Sequence, residues 1–346
     1  MRIIYLGTPA PATIPLKALL QDRRFEVVAV VSQTDKPKNR KKQLEPTEVK
    51  KFVMDWNAGV NSDVVALDKN KPETKPIPIL QFENINKHSD QLADLNADVF
   101  ITCAYGQILS PSIIDLAKYG ILNIHYSLLP EYRGAAPVVW ALLNGDKRTG
   151  VTIMQTEKGV DTGKIILQKH LDIQYNKNSA VGDNLKTLLC KLSDMGSELL
   201  METLLHIKEN GGVLKGKFKH KAQDNAKATH ARKIVKEDGH IDFTRQTATQ
   251  IINRIRALTA VFFYMGGERI KVYQAKEITA QELESDLKSG AVGQVVLSCT
   301  KRGLIIKCKG ETYVQILELL AGSGNKMLAT DFLRGWKKPL EITFTE

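Results

Sequence analysis

The sequence predicts an α/β protein: a doubly wound, mainly parallel sheet, followed by a small β-barrel. Three observations predict it. At 346 residues the chain exceeds one typical domain and suggests two, each able to bury its own core. Through its first 200 residues, apolar strand-like runs alternate with stretches of helical spacing, the βαβα order of a parallel sheet. Beyond a basic, glycine-led segment the remainder turns strand-rich, with short strands punctuated by Gly.

The strand series opens with "RIIYLG" and "FEVVAVVSQ", separated by the helical stretch "IPLKALLQD". It continues through "IPILQ", "ADVFITCAYG", "GILNIHYS" and "RTGVTIMQTE", with helical spacing between them in "HSDQLADLN", "PSIIDLAKY" and "APVVWALLNG". Apolar residues at helical spacing through "NSAVGDNLKTLLCKLSDMGSELLMETLLHIKEN" predict a long closing helix, so the first domain is assigned residues 1–207. "GGVLKGKFKHKAQDNAKATHARKIVK", residues 211–236, has eight Lys/Arg against one Asp and reads as exposed, with 208–222 as a basic linker. Residues 223–346 form the second domain: a helix in "IDFTRQTATQIINRIRAL", then strands in "ERIKVYQAKEI", "GAVGQVVLSC", "GLIIKCK" and "TYVQILELLAG".

Composition excludes several classes. Apolar and charged fractions of 43% and 25% are those of a globular chain, not a disordered or fibrous one. No apolar run approaches the ~18 residues of a membrane helix. No secretory signal precedes "MRIIYLG", so a cytoplasmic location is expected. Cys103, Cys190, Cys299 and Cys308 lie far apart without CxxC, so reduced thiols are expected rather than a disulfide framework or metal site. The net charge of +11 is uneven: residues 1–200 carry 25 basic and 22 acidic groups, residues 201–346 carry 24 and 16. An excess of +8 in the second part suits a polyanionic partner there, or a merely solvated basic surface.

The chemistry concentrates in "GILNIHYSLLPEYRGAAP", residues 120–137. Side chains alternate along a strand, so Asn123, His125 and Ser127 share a face if the strand persists that far. Ligands of open α/β sheets sit beyond the carboxyl ends of strands. There an amide can donate to a developing oxyanion and an imidazole can exchange a proton near neutrality. By itself the triplet better fits a half-exposed strand with ordinary polar residues. Gly134 permits close backbone approach or a tight turn, and Pro137 starts a helix. Asp161, in the Gly-flanked loop of "EKGVDTGKIILQK", can bring a carboxylate against the imidazole, or be a surface turn. A second basic loop, "TDKPKNRKKQLEPTE", has five Lys/Arg within residues 36–42 and suits phosphate contacts. GxGxxG and GxxxxGK[ST] are both missing, which weakens dinucleotide and phosphate-loop readings.

Together these blocks resemble the methionyl-tRNA formyltransferase family. The matching pieces run in order: "YLGTPAPATIPLKAL", "VVSQTDKPKNRKKQLEPTEVK", "ADVFITCAYGQILSPSIID", "GILNIHYSLLPEYRGAAPVVWALLNGD", "TGVTIMQTEKGVDTGKII", "KIVKEDGHIDF" and "KMLATDFLRG". The resemblance implies a Rossmann-like catalytic domain, a linker and an OB-like C-terminal barrel that binds tRNA. It implies formyl transfer from 10-formyltetrahydrofolate to the α-amine of methionyl-initiator tRNA. Asn123, His125 and Asp161 match the family's catalytic trio: an oxyanion donor, a proton-handling imidazole, and a carboxylate that orients it or relays a proton. Ser127, Leu128, Leu129 and Pro130 match the folate-contacting segment, and Tyr105, Gly106, Gln107 and Ile108 a loop bordering the folate site. Arg40, with Lys41 and Lys42, falls in the loop that wedges against the acceptor stem; Lys215, Lys217 and Lys219 of the linker are further candidates for tRNA phosphates. No metal is called for, and a monomer is expected.

Two stretches depart from the family pattern. Residues 57–76 look like an insertion of some twenty residues, and "RIRALTAVFFYMGG" lacks a Pro-Trp-Pro-like run at the start of the C-terminal domain. A folate-dependent transferase acting on a small amine, a sugar nucleotide or purine precursor, explains the 123–161 constellation equally well but not the basic second part. A folate-ester hydrolase with the same trio is a further option, and an RNA-binding module on a degenerate scaffold would not need it.

Overall fold

Continuous apolar runs, buried on both faces, form the centre of the first sheet. The computed structural model describes residues 1–37, 43–60, 75–175, 182–283 and 290–343. Arg40, Lys41, Lys42 and most of the 57–76 segment lie outside them.

In chain order, the first sheet takes β1 (Arg2–Gly7) and β2 (Glu26–Ser32), then, past a small ribbon of β3 (Lys36–Pro37) and β4 (Leu44–Glu45), β5 (Ile79–Gln81), β6 (Val99–Cys103) and β7 (Ile121–His125). After the two-residue β8 (Arg133–Gly134) come β9 (Arg148–Gln155) and β10 (Ile165–Asp172). The spatial order is β10-β9-β7-β6-β1-β2-β5, parallel from β5 through β7, with β7 and β9 antiparallel. The chain therefore winds outward from β1 through β2 to β5, then restarts on β1's other side with β6. The reversal lies between β1 and β6, where open sheets gather ligands at strand carboxyl ends.

The intervening helices are α1 (Thr13–Gln21), α2 (Glu48–Asn57), α3 (Ser89–Ala93), α4 (Pro111–Ile114), α5 (Pro137–Asn144) and α6 (Leu185–Glu209). Thr47 caps α2 by accepting from the Lys50 amide at 3.2 Å. Two helices are shorter than their apolar spacing suggests, because the chain turns at Asn96 (φ +47°) and Gly120 (φ +72°) to enter β6 and β7.

The second sheet's strands, past β11 (His230–Ala231), are β12 (Val261–Met265), β13 (Glu268–Ile278), β14 (Val295–Cys299), β15 (Gly303–Cys308), β16 (Thr312–Ala321), β17 (Met327–Leu328) and β18 (Ile342–Thr343), with helices α7 (Ala248–Ala257) and α8 (Ala329–Gly335). The sheet is antiparallel, ordered β14-β15-β16-β13-β12-β18, with β17 on β16. A capping box between Thr247 and Gln250 starts α7. The stretch without a Pro-Trp-Pro run becomes β12, whose Phe263 is fully buried edge-on to Phe243 at 5.2 Å.

Contacts group the chain into two units that alternate along the sequence, where the sequence suggests cuts near 207 and 222. The first is Met1–Pro137, Thr149–Leu171 and Leu189–Ala231; the second is Val138–Arg148, Asp172–Leu188 and Arg232–Glu346. Among the described residues no helix is long and apolar enough to cross a membrane.

Candidate active site

The side chains singled out at 123, 125 and 161 converge beyond the carboxyl end of β7, within the first unit. His125 is 6% exposed, Asn123 and Asp161 are half-buried, so the group sits just beneath the surface. β7 ends at His125 and does not reach Ser127, so the expected three-residue face is a two-residue one. The chain bends there: the fully buried Ser127 hydroxyl donates to the Glu131 carbonyl at 2.6 Å, closing a turn through the cis Leu129–Pro130 bond. Thr152 ties the same turn to β9 by donating to the Ser127 carbonyl at 2.7 Å.

Asn123 has one orientation. Thr102 Oγ1 donates to its Oδ1 at 2.9 Å, so Nδ2 points the other way, 3.4 Å from Asp161 Oδ1. His125 Nε2 donates to the Tyr132 carbonyl at 2.9 Å, and Nδ1 stands 3.6 Å from Asp161 Oδ2. An acceptor thus faces each ring nitrogen. The 3.6 Å gap exceeds a direct hydrogen bond, so the backbone at Tyr132 fixes the ring more tightly than the carboxylate does.

Asp161 adopts the left-handed region (φ +54°), and the Gly134 amide donates to its Oδ2 at 2.8 Å. Gly134 itself has φ +117° and packs so closely that a Cβ there would lie 2.7 Å from the Ala231 carbonyl oxygen. The close approach arises because β8 pairs in parallel with β11, Arg133 with His230 and Gly134 with Ala231.

The remaining expected site residues are distributed as follows. Leu129 is buried with Met154 and Ile165. Tyr105, Gly106, Gln107 and Ile108 form one loop after β6, with Tyr105 buried and Ile108 74% exposed. Thr8 Oγ1 donates to the Tyr105 carbonyl at 2.8 Å, joining this loop to the end of β1. The Gln107 side chain is committed to the neighbouring backbone, accepting from Ile85 and donating to Phe82 at 2.9 Å each. Burial pushes the Tyr105 phenol up to about 12, so it stays a donor near neutrality. Its Oη and the Gln33 Nε2 beside Gly106 are buried with no partner among the described residues. Lys215, Lys217 and Lys219 are exposed, Lys217 paired with Glu202. The segment that carries them is exposed but not loose: Lys221 pairs with Ile165 and Phe218 stacks on His206.

Several contributors were invisible in the sequence. Thr102, Tyr132 and Gln223 contact the trio or its backbone, and a lone Thr carries no signal on a buried strand. Gln223 lies in a stretch whose visible feature is charge.

The pattern of the formyl transferase family matches residues 1–204, and that of the formyl transferase C-terminal domain residues 233–337. A methionyl-tRNA formyltransferase of Caldicellulosiruptor saccharolyticus is 35% identical over 97% of this chain and 97% of its own. One from Bacillus subtilis is 33% identical over 96% and 94%. Among solved structures, an N-formyltransferase from Helicobacter canadensis, with folinic acid and dTDP-3-aminofucose, superposes at TM-score 0.58 and 17% identity, covering 91% of this chain and 98% of that one. That likeness is one of fold.

Proposed function

The chain belongs to the methionyl-tRNA formyltransferase family, and from that premise we propose that it transfers a formyl group from 10-formyltetrahydrofolate to the α-amine of methionyl-initiator tRNA, for translation initiation. The observation that carries the chemistry is the convergence of Asn123 and His125 on one carboxylate, Asp161, at 3.4 Å and 3.6 Å.

The folate supplies a formyl group already activated on an aryl nitrogen. Tyr105 to Ile108 and the 127–130 turn are the segments that would hold it. The unpartnered Tyr105 Oη and Gln33 Nε2 suit a polar ring rich in N–H and carbonyl groups. Thr102 sets the Asn123 amide so that one Nδ2 hydrogen faces Asp161 and the other is left for the formyl oxygen, where negative charge grows as the amine adds. Tyr132 anchors His125 through Nε2, which makes Nδ1, beside Asp161, the atom that exchanges the proton. The pair takes the proton shed by the attacking amine and returns it to the departing nitrogen. In the balance, a C–N bond to the methionyl amine forms and the C–N bond to the folate breaks.

The basic excess of residues 201–346 and the exposed Lys215, Lys217 and Lys219 favour a polyanionic acceptor over a small amine. We place Arg40, Lys41 and Lys42 in the same role, the reaction in the cytoplasm, and the working unit as a monomer. Incubation with labelled methionyl-initiator tRNA and 10-formyltetrahydrofolate should yield formylmethionine after deacylation. Release of formate alone, or transfer to a sugar-nucleotide amine but not to tRNA, overturns the reading.

A further inference from the structure

We propose that Gln223, from the stretch between the two matched family regions, is a positioning residue that holds Asp161 in register with His125 and Asn123. Its amide is used completely. Nε2 donates to the Asp161 carbonyl at 2.8 Å and to the Gly163 carbonyl at 2.7 Å. Oε1 accepts from Arg133 Nε at 3.0 Å and Nη2 at 2.8 Å. A flipped amide would lose all four bonds, so the orientation is fixed by its partners.

These bonds join the two pieces of chain that meet at the carboxylate. One is the 161–163 turn, where Asp161 has a left-handed backbone that a non-glycine residue keeps only when its surroundings hold it there. Gly163 presses the turn onto β9, since a Cβ there would fall 1.8 Å from the Gln155 carbonyl oxygen. The other piece is Arg133–Gly134, whose Gly134 amide grips Asp161 Oδ2. Arg133 is 6% exposed, and its second side-chain partner, Asn225 Oδ1 at 2.8 Å, comes from the same segment as Gln223. The Gln223–Arg133 pair therefore buckles the turn to the strand that binds the carboxylate. Gln223 touches no reacting atom in this arrangement; it acts through the backbone of Asp161.

The inference rests on the formyl-transfer reading, and the experiment separates the two. The full-length chain, Gln223→Ala, Gln223→Glu, Asp161→Asn and the double variant Gln223→Glu/Asp161→Asn are assayed with methionyl-initiator tRNA and 10-formyltetrahydrofolate. Gln223→Glu keeps acceptors for Arg133 but turns an oxygen toward two carbonyls, so it breaks the buckle while leaving the guanidinium paired. Each Gln223 variant should lose roughly 10–100-fold in kcat, the usual cost of a supporting shell or of an ångström of misplacement. KM for both substrates should stay within about threefold, and Gln223→Glu should still fold cooperatively while melting below the wild type. In the Asp161→Asn background Gln223→Glu should cost nothing further. Undiminished kcat, losses that multiply in the double variant, or a Gln223→Glu chain that does not fold would each overturn the inference. A wild type that formylates no tRNA defeats the function itself, and this inference with it.

Discussion

Replacing Gly134 with alanine tests whether the site depends on the close approach of β8 and β11. The new Cβ would lie 2.7 Å from the Ala231 carbonyl oxygen, against 3.4 Å for ordinary contact, so 3.4 − 2.7 = 0.7 Å must be found by moving backbone. The φ of +117° adds strain on the order of 1–3 kcal/mol for a residue with a side chain. If the strand yields, the 2.8 Å bond from the Gly134 amide to Asp161 stretches toward the limit of a hydrogen bond. A bond to a charged acceptor contributes about 1.5–3 kcal/mol, so Asp161 loses its main tether. With displacement near an ångström, kcat should fall roughly 10–100-fold, while KM for tRNA stays nearly constant. The assay is steady-state formylation of methionyl-initiator tRNA, beside thermal melting. A folded variant that keeps wild-type kcat would refute the geometric argument.

Further expectations concern separate parts of the chain. Asn123→Ala removes the donor aimed at the formyl oxygen and should cost roughly 10²–10³ in kcat with little change in folate affinity by fluorescence titration; equal loss in both removes its assigned role. Affinity for tRNA should fall steeply as salt rises, with a log–log slope of about −0.7 to −0.9 per phosphate contact, and a flat response by filter binding counts against the basic segments. Burial pushes the thiols of Cys103 and Cys308 up to about 11 and about 12. At pH 8 both should resist alkylation until the chain unfolds, while exposed Cys190 is modified, as peptide mass mapping will report.

The strands of the first sheet were legible because a buried parallel strand is written as an unbroken apolar run, and Val99–Cys103 is buried at every position. Lengths were less legible. The Asn-x-His-x-Ser alternation suggests one continuous face, yet Ser127 falls in a turn whose hydrogen bonds outcompete strand pairing. Asp161 was readable from its flanking glycines, whereas the atoms that hold it were not. Gly134 acts through its backbone amide, Gln223 on backbone carbonyls and Arg133 on the Gln223 side chain, and no residue type advertises such bonds. The basic 211–236 stretch shows the same limit: charge foretold its exposure, and nothing foretold that Lys221 bonds to β10, Gln223 to the 161–163 turn and Ala231 to β8.

That last pairing sets a schedule for biogenesis. His230 and Ala231 bind Arg133 and Gly134 across nearly a hundred intervening residues, a contact as distant as Thr229 with Tyr132 at a separation of 97. A nascent chain stalled after residue 172 but before residue 231 can therefore build its first sheet yet hold no finished carboxylate. Competence arrives as a late, long-range event in synthesis, the kind of contact that folds slowly because its loop must close first.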